Sequence, residues 1–400
     1  MGLDDELSER GRSLSEPTQT ETVKLEERIT QLWHTLLIRN ADYAQEASIW
    51  HVRTEPIQDY LAPETMLVEY FVARGRMLAC LVTRQSIRVV QLPGQLNDVR
   101  AQLPRAWLNL KTVPRSPADR IPHLADKLKT VLCSLQEILI APIEHQLADH
   151  AQLIIVPHGP LHYVPFHALH DGSGYLLERH LISYLPVASL LRYCQGVQSP
   201  TKDLVAIGHS KGGLLPYTVQ EARSIAAIMG GSSLLEEQAT LDRVRERAAA
   251  CRSIHIATHG EFRSDNPLFS GLDLEDGSLT TLETFNWRLQ ASLVTLSACQ
   301  TGWSVVGGGD ELLGLMRAFL YAGAATLVLS LWAVHDRSTA TLMELFYRNL
   351  VDGRSKGEAL RGAQLSLLRG ELGNGSDGAQ RLAHPYFWAP FYLVGDTGPL

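Results

Sequence analysis

The 400-residue sequence lacks several features that would place it in a specialised class of protein. Its five cysteines are odd in number and contain no CxxC pair, so neither a disulfide framework nor a zinc site is indicated. It has no long basic run and a net charge of -7, which gives no electrostatic footprint for nucleic acid. The longest apolar stretch, residues 322–334, is too short to cross a bilayer, and the N-terminus carries no signal-like segment. We therefore expect a cytoplasmic protein with no nucleic-acid or membrane partner.

The first third of the sequence shows three successive residue patterns. Residues 1–20 are polar, which predicts a mobile tail, and apolar residues at helical spacing predict a helix from about 22 to 45. Three short apolar runs between residues 66 and 92 predict an antiparallel meander, and two helical stretches follow. We predict three regions: a tail and helix over residues 1–50, a β-meander and helical N-terminal subdomain over 51–117, and a main domain over 118–400.

From residue 152 onward, short apolar runs alternate with helical patterns. The predicted strands are residues 153–156, 204–207, 254–257, 293–296 and 326–331. The predicted helices are residues 219–229, 241–250, 311–321 and 339–349. Continuous apolar strands joined by helical crossovers indicate an α/β fold with a parallel sheet covered on both faces. Functional groups in such sheets collect at the carboxyl ends of the strands.

Two reactive side chains come at the ends of consecutive predicted strands. His259 closes the run IHIATHG at 254–260, and Cys299 closes the run VTLSACQTG at 294–302. A thiol needs a base or a nearby positive charge to become a nucleophile, and His259 can supply the base. The backbone N–H groups of Gly260 and Cys299 can hold the oxyanion of a tetrahedral intermediate. The sequence thus predicts a cysteine nucleophile and its base at one edge of the sheet.

Five motifs in this order resemble the CHAT domain, a peptidase module related to caspases and separases. They are IVPHGPLHYVPFHAL (155–169), ATHGEF (257–262), LSACQTG (296–302), LWAVHD (331–336) and HPYFWAPFYLVGD (384–396). The resemblance covers about residues 118–396 and implies a caspase-like fold with His259 and Cys299 as the catalytic dyad. It also implies that the main domain over 118–400 is a peptidase domain, with its catalytic half at about 200–400. Tetratricopeptide repeats often precede this module, but the amino end shows no repeat period of that length.

Substrate recognition is expected from residues just beyond the strands. Trp332 and Asp336 follow the run at 326–331 and are predicted as a wall and an acidic floor of the pocket for the residue before the cut. An acid there favours Lys or Arg, and the resemblance to separases, which cut after arginine, agrees with it. Asp310 and Glu311 are competing sources of negative charge, and Asp336 as a simple helix cap is an equally good interpretation. The three glycines at 307–309 predict a mobile loop, so we expect an activating protein partner.

Two other functions compete with a cysteine peptidase acting on protein substrates. The run LVAIGHSKGG at 204–213 contains G-x-S-x-G, which in an α/β-hydrolase would make Ser210 the nucleophile. Such an elbow runs straight into a helix, whereas here GGLLP follows, so we predict a loop. The second alternative is a regulated scaffold with an idle dyad, which binds partners through the meander and the N-terminal helix.

The predicted chemistry requires no metal or cofactor. His158, His162 and His167 cluster in one segment, which invites a zinc hypothesis. No acidic or thiol ligand accompanies them and their spacing does not repeat on a helical face. We therefore expect buried or hydrogen-bonded loop histidines.

Overall fold

A computed structural model describes residues 16–39, 56–196, 199, 201–261, 263, 266–300, 310–332, 336–371 and 382–400. For residues 16–20, 33–39, 298–300, 310–313 and 336–337 it describes the backbone alone. Most of the predicted mobile tail and the glycines at 307–309 therefore lie outside the described residues. The chain forms two compact units, residues 1–51 and 52–400.

The described part of the first unit is one helix, α1, Glu16–Arg39. The apolar spacing predicts its start near residue 22, but the helix begins nearly two turns earlier, at Glu16. Pro17 is compatible with a first turn because the N–H it lacks has no partner there in any helix. The earlier start carries no apolar residue, so periodicity alone does not reveal it.

The second unit combines thirteen strands with seven longer helices among the described residues. The strands are β1 Thr65–Ala73, β2 Arg76–Val82, β3 Ile87–Gln95, β4 Gln152–Val156, β5 Leu181–Tyr184, β6 Leu204–Gly208, β7 Ser232–Leu235, β8 Ser253–Glu261, β9 Gly271–Leu274, β10 Gly277–Thr280, β11 Leu293–Gln300, β12 Thr326–Ser330 and β13 Phe391–Gly395. The helices are α2 Leu96–Thr112, α3 Ile121–Leu139, α4 Pro216–Met229, α5 Leu241–Ala249, α6 Asp310–Ala322, α7 Asp336–Val351 and α8 Lys356–Leu368. One-turn helices occupy Glu144–Leu147, Leu176–Arg179, Leu191–Cys194, Thr281–Thr284 and Pro385–Trp388.

All thirteen strands belong to one sheet. Its main order is β10-β9-β8-β11-β12-β13-β5-β4-β1-β2-β3. Outside this order, β6 pairs with β8, and β7 pairs with β6. The strands β7, β6, β8, β11 and β12 run parallel, whereas β13 is antiparallel to β12. The fold is therefore the predicted mixed α/β architecture with a largely parallel central sheet. The meander β1–β3 extends this sheet through the parallel pair β1–β4, so the sheet runs across the boundary proposed at residue 117.

Burial explains why the central strands are continuous apolar runs. Every residue of β6, β12 and β13 is buried, which is possible only when helices cover both faces of the sheet. On one face, side chains of α4 and α7 reach the centre of β8, where Glu221 and Tyr347 contact His255. Both strands that carry the predicted dyad are thus held in the middle of the sheet.

No helix among the described residues is both long and apolar enough to span a membrane.

Candidate active site

The backbone register places the two predicted catalytic residues side by side. β8 and β11 are parallel neighbours, paired from Ser253 opposite Leu293 to Gly260 opposite Gln300. Within that ladder His259 is the direct partner of Cys299. Because neighbouring strands lie about 4.8 Å apart, the two backbones are adjacent at the carboxyl edge of the sheet. Alternation puts positions 259 and 299 on the same face of the sheet as positions 255 and 295.

A buried polar cluster lies on that face four residues, or two side-chain layers, before the dyad positions. His255 Nε2 is 2.9 Å from Glu221 Oε1, and its Nδ1 is 3.2 Å from the hydroxyl oxygen of Tyr347. The Tyr347 hydroxyl donates to Thr295 Oγ1 at 2.9 Å. All four side chains are almost fully buried, so these hydrogen bonds offset the cost of removing polar groups from water. The cluster joins β8, β11, α4 and α7 directly beneath the candidate site.

Charged side chains surround His259, which is itself half-buried. Burial lowers the pKa of His259, and the positive charge of Lys211 lowers it further. Asp273 and Glu261 act in the opposite direction. The balance favours the neutral imidazole, which is the form that can accept a proton.

The loop after β6 brings Lys211 to this position. The His209 N–H donates to Ala257 O on β8, and Lys211 forms an ion pair of 2.6 Å with Asp273 on β9. His209 Nε2 lies 3.3 Å from Glu275 Oε2, just beyond β9. The loop is thus held against β8 and β9, next to the end of the strand that carries His259.

Ser210 lies in the same loop and is not part of a nucleophile elbow. The loop continues through Lys211, which has a φ of 52°, and α4 begins only at Pro216. The Ser210 Oγ accepts from the Gly213 N–H at 2.9 Å, and its N–H donates to Glu236 Oε2 at 3.1 Å. Ser210 is buried, and these bonds are those of a residue that fixes the loop conformation.

The other predicted site residues fall into two groups. Trp332 is buried: its Nε1–H donates to Tyr386 O at 3.2 Å and its ring meets Trp107 edge-on at 5.5 Å. These are packing contacts, and the role of Trp332 as a pocket wall stays a prediction. Asp310 is the first residue of α6, followed by Glu311, and Asp336 is the first residue of α7. Their side chains lie outside the described residues, as do Cys299 Sγ and the residues between β11 and α6.

Gly260 has a neighbouring strand on each side. It is paired with Gln300 of β11 on one side and with Leu272 of β9 on the other. Its predicted part in an oxyanion hole stays a prediction.

The histidines of the 155–169 segment have separate environments. His167 is buried, with Nδ1 2.8 Å from the Tyr184 hydroxyl and Nε2 2.8 Å from Ala389 O. Burial lowers the pKa of His162 and of His167 to about 4. His158 is exposed, and its ring lies 5.2 Å from the ring of Phe71 at a tilted angle of 51°. Among the residues whose positions are described, no three His, Cys, Asp or Glu side chains form a group that could hold a metal ion.

The four cysteines with described side chains are poor nucleophiles. Burial raises the pKa of each of these thiols, Cys80, Cys133, Cys194 and Cys251, and for Cys194 the pKa rises to about 12. A thiol with a raised pKa is largely protonated and unreactive at neutral pH.

Sequence reasoning missed the charged surroundings of His259. Lys211, Asp273 and Glu275 lie in different elements, and nothing in their local sequence indicates that they meet. The buried cluster has one local signal, a histidine at the centre of an apolar run, but Glu221 and Tyr347 as its partners follow only from the packing of α4 and α7.

Comparison with known proteins identifies the family. The CHAT domain model matches residues 129–396, well over half of the chain, so the chain belongs to the CHAT domain family. Over 338 residues it is 28% identical to tetratricopeptide repeat protein 28 of Mus musculus, and over 333 residues it is 27% identical to the Homo sapiens protein of the same name. Each match covers 67% of this chain but spans only 13% of the relative.

The fold is also similar to a solved structure. The chain matches the Saccharomyces cerevisiae separase–securin complex at 2.6 Å resolution with a TM-score of 0.57 and 11% identity, over 85% of this chain and 30% of that chain. At this identity the likeness shows the fold alone. The predicted family and the predicted caspase-like α/β fold are both confirmed.

Proposed function

We propose that this CHAT domain is a cysteine peptidase that cleaves protein substrates with His259 and Cys299 as its dyad. The observation that carries the proposal is the register of β8 and β11, in which the two residues are direct partners. Their place at the carboxyl edge of a largely parallel sheet is where this class of fold collects functional groups. The lowered pKa of His259 supports its role as a base, because a neutral imidazole can take the thiol proton.

The reaction follows from these roles. His259 accepts the proton of the Cys299 thiol, and the thiolate attacks the peptide carbonyl carbon to form a carbon–sulfur bond. The N–H groups of Gly260 and Cys299 hold the oxyanion. The carbon–nitrogen bond then breaks, and the amine leaves with the proton from His259. Finally, a water molecule gives a proton to His259 and its hydroxide adds to the thioester, which releases the acid and restores the thiol.

The proposed specificity is for a basic residue before the cut. α6 and α7 follow β11 and β12, so their first residues, Asp310, Glu311 and Asp336, lie at helix starts on the carboxyl side of the sheet. A carboxylate at such a position can pair with the guanidinium of an arginine side chain. Separase was solved as a complex with securin, and we propose by analogy that this domain also binds a protein partner, which regulates it here.

Catalytic variants assayed with a mixed peptide library test the proposal. Cys299→Ala and His259→Ala should each abolish cleavage while leaving the melting temperature nearly unchanged, because both residues lie at strand ends. Ser210→Ala is the matched control from the neighbouring strand end and should be nearly silent. Loss of cleavage in the Ser210 variant with retention in the Cys299 variant would replace the proposal with a serine hydrolase.

A second function, a binding scaffold with an idle dyad, is favoured by one surface. On the outer face of the meander, Phe71, Ile87 and Val89 are 53%, 59% and 61% exposed. Exposed apolar residues that share one sheet face are typical of protein-binding surfaces. The two functions are compatible, since a partner on this surface can regulate a peptidase.

A further inference from the structure

Ser297, on the dyad face of the sheet, has a buried hydroxyl without a hydrogen-bond partner among the described residues. Ser297 lies on β11 directly opposite Ala257 of β8, and only 5% of its surface is exposed. Its Oγ is fully buried and bonds to no side chain or backbone group in the part of the chain that the structure describes. An unpaired buried hydroxyl costs roughly 1–3 kcal/mol, so its presence in a packed sheet calls for an explanation.

The hydroxyl lies between two polar layers of the same sheet face. In the layer below, Thr295 and His255 are both hydrogen-bonded, as part of the buried cluster. Across the strand, Ala257 offers only a methyl group. The layer above is the pair His259 and Cys299, two residues further along each strand. The hydroxyl therefore sits one layer beneath the proposed nucleophile and base.

We infer that Ser297 is a positioning residue that donates a hydrogen bond to the Cys299 thiolate. This inference rests on the proposed function. A thiolate is a much stronger hydrogen-bond acceptor than a neutral thiol, so a buried hydroxyl two residues away on the same strand face is best used once the dyad is activated. A hydrogen bond to the charged form of an acid stabilises that form, and Ser297 would therefore lower the pKa of the Cys299 thiol.

Other charges also influence the pKa values of the dyad, so a test of Ser297 must leave these charges unchanged. Lys211 approaches from the loop after β6, Asp273 from β9 and Glu261 from the end of β8. Beneath the dyad, Glu221 of α4 is paired with His255. A substitution at Ser297 leaves all of these charges in place, so a change in the thiol pKa can be assigned to the hydroxyl.

The test measures the alkylation of Cys299 by iodoacetamide as a function of pH. The thiolate sulfur forms a bond to carbon and iodide leaves, so the rate reports the thiolate fraction without needing a peptide substrate. Mass spectrometry of the peptide that contains Cys299 follows the reaction, and Cys80, half-exposed with a pKa raised by burial, serves as the internal reference.

The variants are Ser297→Ala, Ser297→Thr and Ser253→Ala. Ser253 is a matched control because its Oγ is also buried and unpaired, but it lies at the opposite end of β8.

Ser297→Ala should raise the midpoint of the alkylation profile and slow the reaction by about tenfold below that midpoint, as expected for the loss of one hydrogen bond to a charged group. Ser297→Thr keeps the hydroxyl and should retain most of the wild-type profile. Ser253→Ala should leave the profile unchanged. Both alanine variants remove an unpaired hydroxyl, so neither should lower the melting temperature.

Two results would overturn the inference: an unchanged profile in Ser297→Ala, or an equal shift in Ser253→Ala. A wild-type Cys299 whose midpoint is no lower than that of Cys80 is a different outcome. It would contradict the proposed function itself. A low wild-type midpoint that stays the same in Ser297→Ala would contradict only the role of the hydroxyl.

Discussion

Histidines of this chain differ in chemistry because their neighbours differ. His255 and His167 are buried and hydrogen-bonded on both ring nitrogens, which fixes them as structural groups. His259 is half-buried at a strand end, close to one cation and two carboxylates. This environment tunes the pKa of His259 while leaving the ring near the edge of the sheet.

The first prediction concerns Lys211. Its positive charge lowers the pKa of His259, so Lys211→Met should raise that pKa, and the freed Asp273 carboxylate should act in the same direction. Asp273→Asn should lower it. The measurement is an NMR titration of His259 in the Cys299→Ala protein, where no thiol couples to the imidazole.

Lys129, on α3, is the matched control: its charge acts on Cys133 and His170 and is not among those that shift the pKa of His259, so its substitution to Met should leave the titration unchanged. A His259 titration that does not respond to Lys211→Met would show that the ion pair on the neighbouring loop has no influence on the base.

At the residue scale, local sequence reveals the dyad but not its surroundings. His259 and Cys299 each end an apolar run, so both can be recognised one at a time. Lys211 and Asp273 meet only because β6 and β9 pair with successive parts of β8. Such a contact depends on the three-dimensional order of the strands, which a single sequence does not contain.

The elements themselves were predictable to the extent that they are long and apolar. The five strands predicted from residue 152 onward all form, because each is a continuous apolar run. The sequence did not predict β5, β7, β9 and β10, each of only four residues, which are too short for a periodicity to show. β13 lies within the family motif at 384–396 but was not identified as a strand. Its antiparallel pairing with β12 depends on the way the chain returns across the sheet.

An element-scale prediction concerns the start of α7. If the carboxylate of Asp336 receives the residue before the cut, Asp336→Asn should reduce kcat/KM on arginine peptides by at least about 2 kcal/mol of transition-state stabilisation. The reason is that the incoming cation loses its partner in a site that excludes water. Alkylation of Cys299 by a small reagent should be unaffected.

Asp310→Asn and Glu311→Gln at the start of α6 are the comparison variants for this prediction. A normal rate for Asp336→Asn with a reduced rate for either of them would move the specificity to α6. Cleavage after apolar residues in all of these proteins would end the proposal of basic specificity.

At the scale of the whole molecule, three histidines that folding removes wholly or partly from water link stability to pH. The pKa values of His162, His167 and His384 are lowered to about 4 from 6.5, chiefly by burial. Between these two pH values the unfolded chain binds protons that the folded chain does not. The free energy of unfolding should therefore fall as the pH drops from 6.5 toward 4, by up to about 1.4 kcal/mol per pH unit for each histidine.

Denaturant unfolding at a series of pH values measures this slope. His162→Gln removes the half-buried member of the three and should reduce the slope by up to about 1.4 kcal/mol per pH unit. A slope equal to wild type in His162→Gln would show that this histidine titrates alike in both states.

The central claim is that His259 activates Cys299 as a nucleophile, and labelling with an electrophilic peptide probe tests it most directly. The probe carries arginine at the position before the reactive group, and mass spectrometry identifies the modified cysteine. The account predicts rapid modification of Cys299 ahead of the half-exposed Cys80 and Cys133, and loss of that preference in His259→Ala. A Cys299 that stays unmodified, or reacts equally fast without His259, would contradict the account and leave the domain as a binding scaffold.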